Sequence, residues 1–193
     1  MKIIDESTID LAKNGDNKSL SEIVNAYSPD IYSLSLRLMR NKHDAEDVLQ
    51  ETFLKMLNNI SKFEGRSTLY SWLYRIATNT ALEKLRKKVP EQFEIDLDSV
   101  DYSEHSNRKS IELPYFDEKD LQNSDLKKEL NSALKKLNAK LRIIFILRDI
   151  EGNSVKETAK ILNLSEANVK VRLMRARMFL KECLESYYNE RAR

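Results

Sequence analysis

Three stretches of the chain carry side chains able to act on a partner. Residues 44–54 read DAEDVLQETFL, crowding three carboxylates of Asp44, Asp47 and Glu51 into two helical turns. Residues 63–88 read FEGRSTLYSWLYRIATNTALEKLRKK, where aromatic rings are interleaved with Arg, Asn and Lys. Residues 154–177 read SVKETAKILNLSEANVKVRLMRAR, an aliphatic series punctuated by Lys170, Arg172, Arg175 and Arg177. The chemistry open to these sets is noncovalent: carboxylates against a basic surface, rings against unpaired bases, guanidinium groups against phosphates and base edges. Covalent chemistry has no matching set. The chain has 1 Cys and 2 His, too few for a four-ligand zinc site or a disulfide framework. No nucleophile–base pair or Gly-rich phosphate loop is present, so no catalytic residue, cofactor or metal ion is expected.

The elements that must position these residues are helices. Among 193 residues there are 3 Gly and 3 Pro against 33% charged side chains. That shortage of turn-formers excludes a sandwich or barrel. Apolar residues recur at i, i+3, i+4 and i+7 over about 7–14, 19–41, 43–60, 67–88, 124–136, 139–150, 154–162 and 166–187, with Pro29 starting a new helix or kinking the second. The stretch between 89 and about 125 holds Pro90 and Pro114, lacks a helical period and is too long for a loop inside a domain. An all-α chain is predicted: a domain over 1–88, an acidic flexible linker over 89–123, and a second domain over 124–193. Split after residues 88 and 125, the chain carries net charges of +2, −8 and +8. The last segment is thereby suited to a polyanion. No run of about 18 apolar residues occurs, so no membrane insertion and a soluble, cytoplasmic protein are expected.

In the last of the three stretches, Ser154 and Glu157 have the spacing of a capping box, and Ser165 is placed to cap a second helix. Val155, Ala159 and Leu162 mark one buried face, and Val169, Leu173, Ala176 and Leu180 mark the other. Away from the second stripe lie Val171, Met174, Arg175 and Met178, with Lys170, Arg172 and Arg177 on its flanks. This is a helix-turn-helix layout, whose second helix can lie in a major groove. Lys170 and Arg175 are placed for base edges, whereas Arg172 and Arg177 suit phosphates or a pairing with Glu157. A helical hairpin with a solvated basic face would give the same pattern.

On the acidic helix, Ala45, Leu49, Phe53, Met56 and Ile60 form the buried side. Asp44, Asp47, Glu51, Leu54 and Asn58 stand opposite, with Gln50 on the flank. Carboxylates crowded on one face repel, so an exposed Leu54 among them marks a docking ridge or simply a solvated face. On the aromatic-basic helix, Leu69, Leu73, Ile76 and Thr80 face inward. Ser71, Arg75, Asn79 and Arg86 form a polar stripe bordered by Trp72, while Tyr70 and Tyr74 lie outside the core stripe. Lys84, Arg86, Lys87 and Lys88 make its end basic. Stacking is worth about 1–3 kcal/mol per base, enough to hold a base out of a duplex. Core burial of the rings is the competing reading.

In order and spacing, DAEDVLQETF, FEGRSTLYSWLYRIATN and the 154–177 helix pair resemble an extracytoplasmic-function (group 4) sigma factor of bacterial RNA polymerase, over roughly 19–88 and 124–184. The resemblance implies that Asp44, Asp47, Gln50, Glu51, Leu54 and Asn58 dock on the clamp helices of the polymerase β′ subunit. It implies that Phe63, Arg66, Ser67, Ser71, Trp72, Arg75 and Asn79 capture the melted non-template strand of the −10 element. It gives Lys170, Val171, Arg172, Met174, Arg175 and Arg177 to the −35 element as duplex DNA, and it adds the β flap and an anti-sigma factor as partners. No small-molecule substrate is implied. Val171 stands where many relatives have Ser, and Asn168 where many have Thr. Two other classes are compatible with parts of the pattern: a helix-turn-helix regulator whose first domain dimerises or senses a ligand, and an adaptor that binds only proteins.

Overall fold

A computed structural model of the chain describes residues 4–90 and 124–191. The acidic linker expected over 89–123 falls, from residue 91 on, outside the described residues. The helices are α1 (Glu6–Lys13), α2 (Asn17–Met39), α3 (Lys42–Asn59), α4 (Leu69–Lys88), α5 (Ser124–Lys136), α6 (Ala139–Phe145), α7 (Val155–Leu162) and α8 (Glu166–Arg191). A 3-10 turn, Ile60–Lys62, follows α3, and a π-helical turn, Ile146–Ile150, follows α6. All regular structure among the described residues is helical, as the composition predicts. None of these helices is long and apolar enough to cross a membrane.

Side chains that satisfy the first free backbone N–H groups set the helix starts. Asp5 accepts from Thr8 N at 2.6 Å, Asp16 from Ser19 N at 2.8 Å, and Asn41 from Asp44 N at 3.2 Å. Thr68 Oγ1 accepts from Ser71 N at 3.1 Å, Asn138 from Lys140 N at 2.8 Å, and Ser165 Oγ from Asn168 N at 3.1 Å. The capping box closes as the spacing predicts: Ser154 N donates to Glu157 Oε2 at 2.8 Å, and Glu157 N to Ser154 Oγ at 3.1 Å.

The chain divides into two compact units, Met1–Lys88 with Ala159–Leu164, and Val89–Thr158 with Ser165–Arg193. In the first, α2 packs on α3 and α4, α3 on α4, and α1 on α2. Its core is Ile23, Tyr27, Ile31, Leu34 and Leu38 of α2, Ala45, Val48, Phe53 and Met56 of α3, and Leu69, Leu73, Tyr74, Ala77, Ala81 and Leu85 of α4. Pro29 neither starts a helix nor ends one; α2 runs through it. An interior proline costs about 3 kcal/mol. Burial of Ile31, Leu34 and Leu38 in the following turns offsets that cost.

In the second unit α8 packs on α6 and α5. The single helix expected over 139–150 is α-helical only to Phe145; beyond it Glu151 N donates to Ile146 O at 2.9 Å, the i to i+5 bond of a π turn. Arg142 is buried within α6, and its Nη1 donates to Leu137 O at 3.2 Å, with Leu134 O at 3.5 Å. It thus sits on carbonyls at the C-terminal end of α5, where partial negative charge accumulates. Gly152, at φ +70°, turns the chain toward α7 in a conformation that a side chain would strain.

Two outcomes test this fold. Leu73 is fully buried, so Leu73→Ala is expected to lower unfolding free energy by about 2–5 kcal/mol. Urea unfolding followed by fluorescence of Trp72, the 1 Trp of the chain, reads the first unit directly. Hydrogen bonds from the hydroxyl and amide of Ser19 hold the Asp16 carboxyl below its ordinary value. A lowered folded pKa stabilises the fold fully above the unfolded value near 3.9 and loses that contribution as pH falls through the folded one. Asp16→Asn keeps the cap, so its stability is expected to fall less steeply than wild type below about pH 4.

Candidate functional site

The acidic face of α3 is built together with the end of α4. Lys84 Nζ lies 3.3 Å from Asp47 Oδ2 and 3.8 Å from Glu51 Oε2. Lys88 pairs with Asp44, and Lys55 reaches Glu51 at 3.0 Å, Glu83 at 3.1 Å and Thr80 Oγ1 at 3.1 Å. Burial opposes the charge on Lys55, but its hydrogen bonds to Glu51 and Glu83 outweigh that and hold its amine above the ordinary value. The repulsion read from the sequence is therefore offset by lysines about forty residues away. Lys84 and Lys88, read as part of a basic end for nucleic acid, face α3 instead. His43, Asp44 and Asp47 bring ligand atoms within 4.8 Å of one another, yet both carboxylates are engaged by lysines, and nothing further points to a cation.

What this face offers outward is Gln50, Leu54 and Asn58, with Asp44, Asp47 and Glu51 half-buried beside them. Leu54 is 60% exposed, and Leu57, which the helical projection did not single out, is 44% exposed. Leu49, expected inside, is half-buried, and Val48 and Thr52 are buried in addition to Ala45, Phe53, Met56 and Ile60.

The loop into α4 is folded around Phe63. Its ring lies against Trp72 with centroids 5.2 Å apart, and Lys13 Nζ sits 6.0 Å from its centre. Phe63 is buried, and its ring supports the loop against Trp72. Arg66 and Ser67 are exposed, with Arg66 paired to Glu64. Ser71 and Trp72 are half-buried, and Arg75 and Asn79 are exposed one and two turns further along. Tyr70 and Tyr74 belong to the core side, stacked with centroids 4.1 Å apart, with Tyr27 6.3 Å from Tyr70. Tyr74 is buried, contrary to the projection, with its ring against that of Tyr70. Ile76, expected inward, is half-buried.

In α7, Thr158, Ala159 and Ile161 are buried, while Val155 and Leu162 are half-buried. The turn after it uses Asn163 at φ +54°, a left-handed conformation that Asn tolerates, and Leu164 N donates to Ala159 O at 3.0 Å. Along α8, Val169, Leu173, Ala176 and Leu180 are buried as the period predicts, and Met178 joins them against expectation. Lys170, Val171 and Met174 are exposed; Arg172 and Arg175 are half-buried. Arg177 pairs side-on with Asp149, through Nε to Oδ2 at 2.8 Å and Nη2 to Oδ1 at 2.7 Å, so Asp149 and not Glu157 is its carboxylate partner. These hydrogen bonds outweigh partial burial and hold the guanidinium pKa above its ordinary value.

Comparison with known proteins bears on each surface. The family model for Sigma-70 region 2 matches residues 23–90, and that for Sigma-70 region 4 matches residues 127–180. The ECF RNA polymerase sigma factor SigW of Bacillus subtilis is 31% identical over 185 residues, covering 95% of this chain and 98% of the relative. The ECF RNA polymerase sigma-E factor of Haemophilus influenzae is 27% identical over 187 residues, covering 95% and 97%. Among solved structures, the sigma factor RpoE in complex with the anti-sigma factor NepR, from Bartonella quintana, matches with a TM-score of 0.61 at 27% identity. That match covers 87% of this chain and 98% of the RpoE chain.

If lysines of α4 neutralise the α3 carboxylates, Lys84→Met leaves Asp47 and Glu51 less compensated. The variant is expected to lose roughly 0.2–1 kcal/mol of stability at low salt, the range for partly exposed pairs, and to lose less at 1 M NaCl. Unfolding followed by Trp72 fluorescence at both salt concentrations checks this. Equal losses at both would show that Lys84 acts through packing.

Proposed function

The chain belongs to the extracytoplasmic-function sigma factors of RNA polymerase, and we propose that it divides the recognition of one promoter between its two helical domains. Its activity is promoter-directed initiation of transcription together with RNA polymerase. In this reading the domain over 1–88 docks on core enzyme and holds the melted −10 strand, the domain over 124–193 reads the −35 duplex, and the stretch over 89–123 joins them. The chain makes and breaks no covalent bond; the polymerase synthesises the RNA. By likeness to the RpoE chain seen with NepR, an anti-sigma factor is a further expected partner.

The observation that carries the reading is the exposed set on α3. Leu54, 60% exposed, stands among Gln50, Asn58 and half-buried carboxylates, an apolar anchor ringed by polar groups. Such a ridge suits a basic, partly apolar protein surface, here the clamp helices of β′. On α4, Ser71, Arg75 and Asn79 form an outward stripe beside Trp72 and the exposed Arg66 and Ser67. A phosphate backbone following the cations brings an unpaired base to the indole edge, where stacking contributes about 1–3 kcal/mol. Phe63 supports Trp72 from behind in this arrangement.

On α8, Lys170 can donate to guanine acceptors, while Val171 and Met174 suit thymine methyl groups. Arg172 and Arg175 are half-buried on the same helix. The β flap is assigned as a partner of this domain by family likeness.

Purified core enzyme, a promoter library and run-off transcription test the proposal. Wild-type protein is expected to select promoters with separated −35 and −10 elements, and Leu54→Glu to weaken core binding roughly 10-fold or more, since it places a charge where an apolar anchor docks. Lys170→Ala is expected to relax preference at one −35 position by about 1–3 kcal/mol without affecting core binding. Tight duplex binding by a dimer that ignores core enzyme would overturn the reading in favour of an operator-binding regulator.

A further inference from the structure

We infer that Arg177 is a positioning residue of the DNA-reading helix, clamped by Asp149 so that its Nε–Nη2 edge is spent on orientation and not on phosphate. The inference rests on the proposed function for its DNA-reading part. Its basis is the side-on fork of two hydrogen bonds at 2.7 and 2.8 Å, the arrangement in which guanidinium and carboxylate fix each other in plane. Both side chains are largely withdrawn from water, Asp149 at 18% and Arg177 at 35% exposure.

Asp149 is a fixed point because of where it sits. It belongs to the π turn Ile146–Ile150, whose flanks are pinned several times over. Glu151 N donates to Ile146 O, while Asn153 N and Asn153 Nδ2 both donate to Leu147 O at 3.0 Å. Arg148 Nη1 donates to Asn153 O. Ile146 and Leu147 are buried, so the turn is tied to the core of its unit. A conventional α-helical ending after Phe145 would wind this segment differently; the extra residue of the π turn sets where Asp149 points.

Arg177 lies on the same row of α8 as Lys170 and Met174, at offsets of seven and three residues, the spacing of one helical face. Holding the guanidinium at one end of that row fixes the rotation of α8 about its axis. Side-chain tips stand about 6 Å from a helix axis, so a rotation of roughly 20° would carry them about 2 Å. That is enough to break a base-edge hydrogen bond. A charge read from the sequence as a phosphate contact therefore sets the register of its neighbours.

The experiment uses the full-length chain with core polymerase and a −35-dependent promoter, comparing wild type with Asp149→Asn, Arg177→Gln and the double variant Asp149→Arg/Arg177→Asp. Both single variants are expected to weaken promoter binding by a similar factor, roughly threefold to tenfold, with the slope of log affinity against log salt unchanged. The charge-reversed pair is expected to recover most of the loss. In the free chain, amide exchange over 166–176 is expected to rise in both single variants and return in the reversed pair. Binding by Asp149→Asn as tight as wild type, a slope shallower by about one in Arg177→Gln, or failure of the reversed pair would overturn the clamp. Unchanged exchange in the single variants would overturn it without reference to polymerase. If wild-type protein forms no promoter complex at all, the proposed function fails, and the exchange measurement still decides the clamp.

Discussion

The seam of lysines between α3 and α4 is the interaction on which the first unit's surfaces depend. Asp44, Asp47 and Glu51 share one helix face by their spacing, and Lys88, Lys84 and Lys55 pair with them there. Each pair alone, partly exposed, contributes little. Their joint effect is geometric. Lys84 lies nine residues after Arg75, which at 100° per residue places it on the opposite side of α4. Drawing Lys84 and Lys88 toward α3 turns Ser71, Arg75 and Asn79 outward. One set of ion pairs thus shapes the acidic ridge and orients the polar stripe.

That seam was invisible in the sequence for a physical reason. Helical periodicity tells which residues share a face but not which helix lies opposite, and the partners here are 37 and 44 residues apart. The same limit explains Tyr74 and Met178. Both project away from the aliphatic stripe of their own helix, yet both are buried. Helix starts, by contrast, were legible at Ser154 and Ser165, since a cap is a local bond between residues two or three apart. The all-α class, the limits of most helices and the buried stripe of α8 followed from pattern alone. Of the two readings of Pro29, the structure has it inside α2; the π turn after Phe145 had no signal in the pattern, because it is a local cost accepted for tertiary packing.

Buried Arg142 shows the same trade in the second unit. A guanidinium inside an apolar helix is expensive unless its donors find acceptors. Here carbonyls at the end of α5 accept from Nη1, at Leu137 O and Leu134 O. α8 packs against both α5 and α6. Composition counted Arg142 toward a basic, polyanion-binding segment. Its charge belongs instead to the core, as much of Arg177's belongs to Asp149.

With Arg177 engaged by Asp149, the outward face of α8 presents exposed Lys170, Val171 and Met174, with half-buried Arg172 and Arg175 on the same helix. In the proposed function such a face would draw on apolar and methyl contacts as well as charge, so its binding would fall less steeply with salt than the segment's +8 suggests. It is a small surface. The ridge around Leu54 and the stripe beside Trp72 are similarly small. Surfaces of modest individual affinity, carried on one chain, reinforce one another only when their partners present all the sites at once, because the second contact then forms at high effective concentration. In the proposed function a promoter alone does not meet that condition, and neither does polymerase alone; an assembly of both would, which would make selectivity a property of the joined units.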